Sequence, residues 1–175
     1  SATTSGKAYV FVRAATGWAV TATLKPTETW PTGGYGFGRS VAVSRDASTI
    51  VVGASYRKSG LVDVGAAYVF VRSGSDWIQQ DRLDGLAGFH TGHAVAVSGD
   101  GSRVLVASDA TGAVFVRSGL AWNQEGILSR PWSACWSAFY PSSVAISDDG
   151  GTAILGIRCD KLNLGAGAST NFDGV

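Results

Sequence analysis

The chain has 175 residues, of which 45% are hydrophobic and 15% charged, and it carries 24 glycines. The hydrophobic share supplies the core of one domain and excludes a disordered tail, while low charge and about twice the ordinary glycine usage mark a turn-rich fold. A formal net charge of +1 leaves no electrostatic footprint for nucleic acid or an anionic membrane, and no apolar run approaches the ~18 residues of a spanning helix, so neither partner is expected.

From the N-terminus, the first apolar segment is Tyr9-Val10-Phe11-Val12-Arg13, with Trp18 and Leu24 behind it. Ser40-Val41-Ala42-Val43-Ser44 follows, and a turn around Asp46 leads into Ile50-Val51-Val52-Gly53-Ala54. Tyr68-Val69-Phe70-Val71-Arg72 then repeats the first segment, again trailed by a tryptophan and a leucine, Trp77 and Leu83. A further round runs through Ala94-Val95-Ala96-Val97-Ser98, Asp100, Val104-Leu105-Val106-Ala107, Val114-Phe115-Val116-Arg117, Trp122 and Leu128. Ser143-Val144-Ala145-Ile146-Ser147, Asp149 and Ala153-Ile154-Leu155-Gly156-Ile157 open another. The Phe, Trp and Leu of successive rounds share the same two shifts, 59 and 45 positions, which identifies an internal repeat.

Short β-branched runs bounded by Gly, Ser and Asp read as strands joined by tight hairpins, and no stretch has a helical period. Four strands of ordinary length within such a period describe a propeller blade. The expected fold is all-β, with β-propeller blades of four antiparallel strands. Two complete blades span 40–83 and 94–128, and two terminal half-blades span 6–24 and 143–175, all within a single unit covering 1–175.

Tyr35-Gly36-Phe37-Gly38-Arg39-Ser40-Val41-Ala42-Val43-Ser44, followed by Ile50-Val51-Val52-Gly53-Ala54-Ser55, resembles the FG-GAP repeat of integrin α-chain propellers and related extracellular proteins. Gly65-Ala66-Ala67-Tyr68-Val69-Phe70 and the stretch from Trp77 to Leu83 resemble the last two blade strands of that family. In later rounds the Phe-Gly pair becomes Thr91-Gly92 and then Pro141-Ser142. The resemblance implies an extracellular, secreted or cell-surface setting and a role in adhesion or ligand recognition. It also implies that the long loops join the outer strand of one blade to the inner strand of the next, on the face where propellers bind ligands.

Those loops carry the candidate ligand-binding aromatics: Trp30, Tyr35 and Phe37, then Phe89, then Trp132, Trp136 and Tyr140. Such rings stack on sugars or anchor a protein partner, and they equally serve packing between blades. Integrin-like members hold calcium in a hairpin loop with several acidic or amide ligands. Here the turns around Asp46, Asp100 and Asp149 offer one or two carboxylates where a hard cation takes six to eight oxygens, so they are expected to serve turn geometry. His90 and His93 form a His-x-x-His without a third ligand at suggestive spacing. No matched acid, base and nucleophile stands out, and the expectation is a non-catalytic module without metal or cofactor. Cys135 and Cys159 either form one disulfide or stay as two buried thiols.

With Ser1 at its start, no methionine and no signal-like segment, the chain reads as a mature or excised polypeptide. Two half-blades at the ends predict exposed strand edges. They are completed by strand addition from a second copy, giving a head-to-tail ring or filament, or by the remainder of a longer propeller chain. Residues 164–175 begin like another third strand but lose the Tyr-Val-Phe core, and read as a tail or donated strand.

Overall fold

A computed structural model describes residues 6–28, 35–84, 86, 90–109, 111–129 and 141–157, and the regular structure in them is β-strand throughout. The first hairpin pairs β1 (Ala8–Ala14) with β2 (Gly17–Leu24). A four-stranded antiparallel sheet follows in the order β3 (Phe37–Val43), β4 (Thr49–Ala54), β7 (Ala67–Ser73), β8 (Asp76–Leu83). Between its second and third members the chain makes a small excursion, the hairpin β5 (Lys58–Ser59) and β6 (Val62–Asp63). A second four-stranded sheet runs β9 (Ala94–Val97), β10 (Arg103–Ala107), β11 (Gly112–Ser118), β12 (Ala121–Leu128), and β13 (Pro141–Ile146) pairs with β14 (Ala153–Ile157).

The sheets obey sequence order because each connection within them, apart from the excursion between β4 and β7, is a hairpin or a short loop, the cheapest closure for antiparallel neighbours. After its first residue, Thr49 or Arg103, the second strand of each four-stranded sheet is a continuous apolar run. All six residues of β4 are buried, since neighbouring sheets cover both of its faces and leave no solvent side to demand alternation. Two boundaries differ from the sequence reading. The first strand of the earlier four-stranded sheet starts at Phe37, not at residue 40, because Phe37 pairs with Ala54 across an irregularity before Ser40. The last hairpin likewise starts at Pro141, two residues before Ser143.

The core lies between sheets. On one side of the first four-stranded sheet, Val51 and Val69 pack with Val95, Val104, Phe115 and Trp122 of the next sheet. On its other side, Ile50, Val52, Tyr68 and Phe70 pack with Leu24, and Val10 and Trp77 lie against them. Phe37 stands edge-on to Tyr68 and Phe70 at centroid distances of 5.5 and 6.2 Å, an arrangement favoured by ring quadrupoles. The start of each sheet seats closely on the one before it: a Cβ on Gly92 would meet the Ala66 carbonyl oxygen at 2.2 Å. That close approach requires glycine.

The repeated segments do not share a common burial. Tyr68 and Phe70 are 0% and 2% exposed, whereas their counterparts Tyr9 and Phe11 are 55% and 53% exposed. The same gradient runs through the tryptophans. Trp122 is 7% exposed and Trp18 70%, with Trp77 half-buried against the core. Trp122 donates its indole N–H to Gln80 Oε1 (3.0 Å) and its backbone N–H to Asp81 Oδ2 (3.1 Å), both on the outer strand of the preceding sheet. For Trp18 the described residues contain no preceding sheet.

Equal residues in unequal surroundings give a direct test. Phe70→Ala is expected to destabilise by about 3–5 kcal/mol, the range for a buried phenylalanine, and Phe11→Ala by less than about 1 kcal/mol. Denaturant unfolding of the isolated chain measures both, and equal effects would refute the sheet assignment.

Candidate functional site

Three hairpins join the first two strands of their sheets by one recurring device. Ser44, Ser98 and Ser147 each donate the hydroxyl to the Oδ1 of the aspartate two positions on, Asp46, Asp100 and Asp149, at 2.5, 2.7 and 2.5 Å. The same Oδ1 accepts the backbone N–H of Ser48, Ser102 or Gly151 at 3.0, 2.9 and 2.9 Å. Each serine oxygen in turn accepts the backbone N–H of the first residue after the turn, Thr49, Arg103 or Thr152, at 3.0, 2.9 and 2.9 Å. These are local side-chain substitutes for backbone pairing, the reason Ser and Asp dominate such positions.

Donors converging on a carboxylate favour its ionised form. The Ser44 hydroxyl, then the Ser48 N–H, hold Asp46 below the usual carboxylate range. The Ser102 N–H, then the Ser98 hydroxyl, lower Asp100 to about 2, and the Ser147 hydroxyl, then the Gly151 N–H, lower Asp149. The aspartates thus bind their own turns. Among the described residues, no three His, Cys, Asp or Glu side chains converge as metal ligands.

Of the loop aromatics, Tyr35 and Phe37 are 5% and 3% exposed. Of the two roles open to the loop aromatics, burial places these two in packing: Phe37 is wedged against Tyr68 and Phe70 of the same sheet, in the cluster that also holds Leu24 of the first hairpin. Trp30, Phe89, Trp132, Trp136 and Tyr140 lie outside the described residues, as do Cys135 and Cys159.

Two polar clusters bring together residues that the sequence reading did not pair. His90 Nδ1 lies 2.7 Å from Asp109 Oδ2, and its ring is edge-on to Tyr56 at 5.2 Å. Burial, and after it the Arg39 guanidinium, push His93 below the ordinary imidazole value. In the second cluster the Tyr68 hydroxyl donates to Glu28, whose carboxylate also meets Arg82 at 2.8 Å and Arg57 at 3.5 Å. Burial pushes the Tyr68 phenol well above its ordinary value, so it stays a neutral donor at every physiological pH. Both clusters join residues far apart in sequence: the first ties two loops together, and the second ties Glu28, beyond β2, to the register partners Tyr68 of β7 and Arg82 of β8.

The remaining feature is a pair of open apolar edges. Neither β1 nor β14 carries a further strand among the described residues. Beside β1 lies a cleft of about 420 Å³ whose lining includes Val10, Leu24, Val41, Val43 and Ile50. Val41 and Val43 are 60% and 59% exposed there, while Val95, the counterpart of Val41 in the next sheet, is 8% exposed. Beside β14, Ile154 is 64% exposed, although its counterparts Val51 and Leu105 are fully buried. Large apolar surfaces of this kind mark interaction sites.

Comparison with known proteins agrees with this architecture. Residues 18–70 match the family model of the FG-GAP repeat. Among solved structures, the periplasmic gluconolactonase of Pseudomonas aeruginosa superposes with a TM-score of 0.52 at 19% identity, over 86% of this chain and 47% of that one. Hydrazine synthase of Kuenenia stuttgartiensis superposes with a TM-score of 0.46 at 17% identity, over 75% of this chain and 32% of that one. The chain therefore spans less than half the length of either structure. No curated protein matches the sequence. The likeness to the gluconolactonase is one of fold, and together with the repeat match it identifies an all-β module of β-propeller type.

Two outcomes follow from the turns. Because the folded-state values of Asp46, Asp100 and Asp149 are depressed, their contribution is complete above the unfolded carboxylate value near 4 and is lost as pH falls through the folded values, which for Asp100 is about 2. Thermal melts between pH 5 and pH 2 should show the melting temperature dropping, with a shallower drop for Asp100→Asn. Ala47 holds φ +53° where the matching turns place Gly101 and Gly150 at +68° and +70°. Ala47→Gly should stabilise by up to about 1 kcal/mol, left-handed strain relieved less the entropy of glycine, and a destabilised variant in urea unfolding would refute this.

Proposed function

We propose, taking the FG-GAP repeat of residues 18–70 as the starting point, that the chain is a non-catalytic extracellular β-propeller module. Its role is adhesion or ligand recognition, and it self-associates through incomplete terminal blades. The observation that carries the reading is the contrast between Tyr68 and Phe70, buried, and Tyr9 and Phe11 in an identical segment, half exposed. A strand built for a core but left at a surface is an invitation to pairing. The extracellular assignment rests on the resemblance to integrin-like repeats. The non-catalytic assignment is supported by the roles found for the titratable groups, since Asp46, Asp100 and Asp149 are committed to their turns and His90 to Asp109.

Trp30, Phe89, Trp132, Trp136 and Tyr140 remain the aromatics assigned to a carbohydrate or protein ligand on the loop face. A second reading, a structural subunit of an extracellular fibre or sheath, is favoured by the difference between the two open edges. A contact between unlike edges is head-to-tail, and such contacts close into rings or continue as filaments. The remainder of a longer propeller chain is the competing source of the missing strands.

Light scattering of the purified chain across a concentration series, with negative-stain imaging, tests the reading. Discrete assemblies of a few chains support the recognition module, and filaments support the fibre subunit. A monomer at every concentration refutes self-association and assigns the missing strands to a longer chain.

A further inference from the structure

The two open edges are complementary in strand type, shape and charge. Turn geometry fixes the correspondence between sheets, because Thr49, Arg103 and Thr152 each donate the N–H to the serine oxygen that starts the turn. In both four-stranded sheets the strand after that turn pairs onward with a strand of the β1 type. The partners are Thr49↔Val71, Ile50↔Phe70, Val51↔Val69 and Val52↔Tyr68 in one sheet. In the other they are Arg103↔Val116, Val104↔Phe115, Leu105↔Val114 and Val106↔Ala113. β13 and β14 are the first two strands of such a sheet, and β1 and β2 are the last two.

We propose that β14 of one copy adds to β1 of a second copy in the same antiparallel register, Thr152↔Val12, Ala153↔Phe11, Ile154↔Val10 and Leu155↔Tyr9, seating Ile154 in the cleft beside Val41 and Val43. This rests on the self-association reading and specifies its contact.

The cores supply the shape argument. Between the two four-stranded sheets, Val51 sits with Val69, Leu83, Val95 and Val104. Between the β1–β2 hairpin and the next sheet, the counterparts Val10, Leu24 and Ile50 are present, and Val41 takes the place of Val95. The cluster has no counterpart of Val51, and the 420 Å³ cleft lies among these same residues. The counterpart of Val51 is Ile154, exposed on the other edge. Charge agrees with shape: residues 6–24 contain Lys7 and Arg13 and no acidic residue, while residues 141–157 contain Asp148 and Asp149 and no basic one. In the complete sheets the N–H of Arg72 or Arg117 donates to the carbonyl of Ser48 or Ser102, each 2.9 Å, just past the turn. The equivalent bond would bring Arg13 beside the doubly acidic turn at Asp148 and Asp149, an attraction that also steers encounter.

The test compares the chain with Ile154→Arg by light scattering over the same concentrations, with thermal melts as the folding control. Ile154 is exposed in the single chain, so the variant should fold as before, while an arginine forced into the apolar cleft should weaken assembly by at least about tenfold. Register is read by cross-linking. Two proteins, one carrying Val10→Cys and one Ile154→Cys, both with Cys135→Ser and Cys159→Ser, are mixed and oxidised. Directly opposed residues lie within disulfide range, so a covalent heterodimer should form, and Phe11→Cys, which points to the opposite face, should give none. Assembly that survives Ile154→Arg, with no 10–154 cross-link, overturns this register and leaves self-association standing. A chain that stays monomeric at all concentrations overturns both.

Discussion

Every sheet in this protein depends on the sheet before it for the burial of its largest side chains. The third and fourth strands place their aromatics on the face that looks backward along the chain, and those rings leave water only when another sheet stands opposite. Trp122 is covered by the outer strand that carries Gln80 and Asp81. Trp77 lies against the core that includes Leu24, and Trp18 stands 70% exposed. Each unit of the repeat is thus incomplete by itself, the property that makes stacked architectures cooperative between nearest neighbours.

The hairpin turns add a second, weaker linkage. The residue after the serine is Arg45, Gly99 or Asp148 in successive turns, and the three meet. The Asp46 N–H donates to the Gly99 carbonyl at 3.4 Å, the Gly99 N–H donates to the Asp148 carbonyl at 2.9 Å, and Arg45 pairs with Asp148 at 2.7 Å. Both members of that ion pair are well exposed, so the pair itself contributes little to stability. A side chain at position 99 would meet the Asp148 carboxylate at 2.6 Å. Variation at this position lets three turns that share the serine and the aspartate fit together.

Much of the architecture was legible in the residues. Phe11, Phe70 and Phe115 keep step with Trp18, Trp77 and Trp122, and that common shift is enough to identify the repeat. The Ser-x-Asp spacing announced the turns, because the serine and aspartate bond to backbone within five positions. The role of Phe37 was not legible. An aromatic next to glycine in a loop reads as a ligand contact or as packing, and only the positions of Tyr68 and Phe70, more than thirty residues away, decide for packing. The same holds for His90 with Asp109, on two separate loops, and for Glu28 with Tyr68 and Arg82, where the residue beyond the first hairpin meets strands of the next sheet.

The amino-acid sequence by itself determined the main strands, their order and their turns, though not the small β5–β6 hairpin, since alternation, β-branching and the Ser-Asp hydrogen bonds act over a few residues. Tertiary structure alone decided which copy of Tyr-Val-Phe-Val-Arg is core and which is surface. The physical reason is that burial belongs to a side chain and the surface opposite it, and for Tyr9 and Phe11 that opposite surface is not among the described residues.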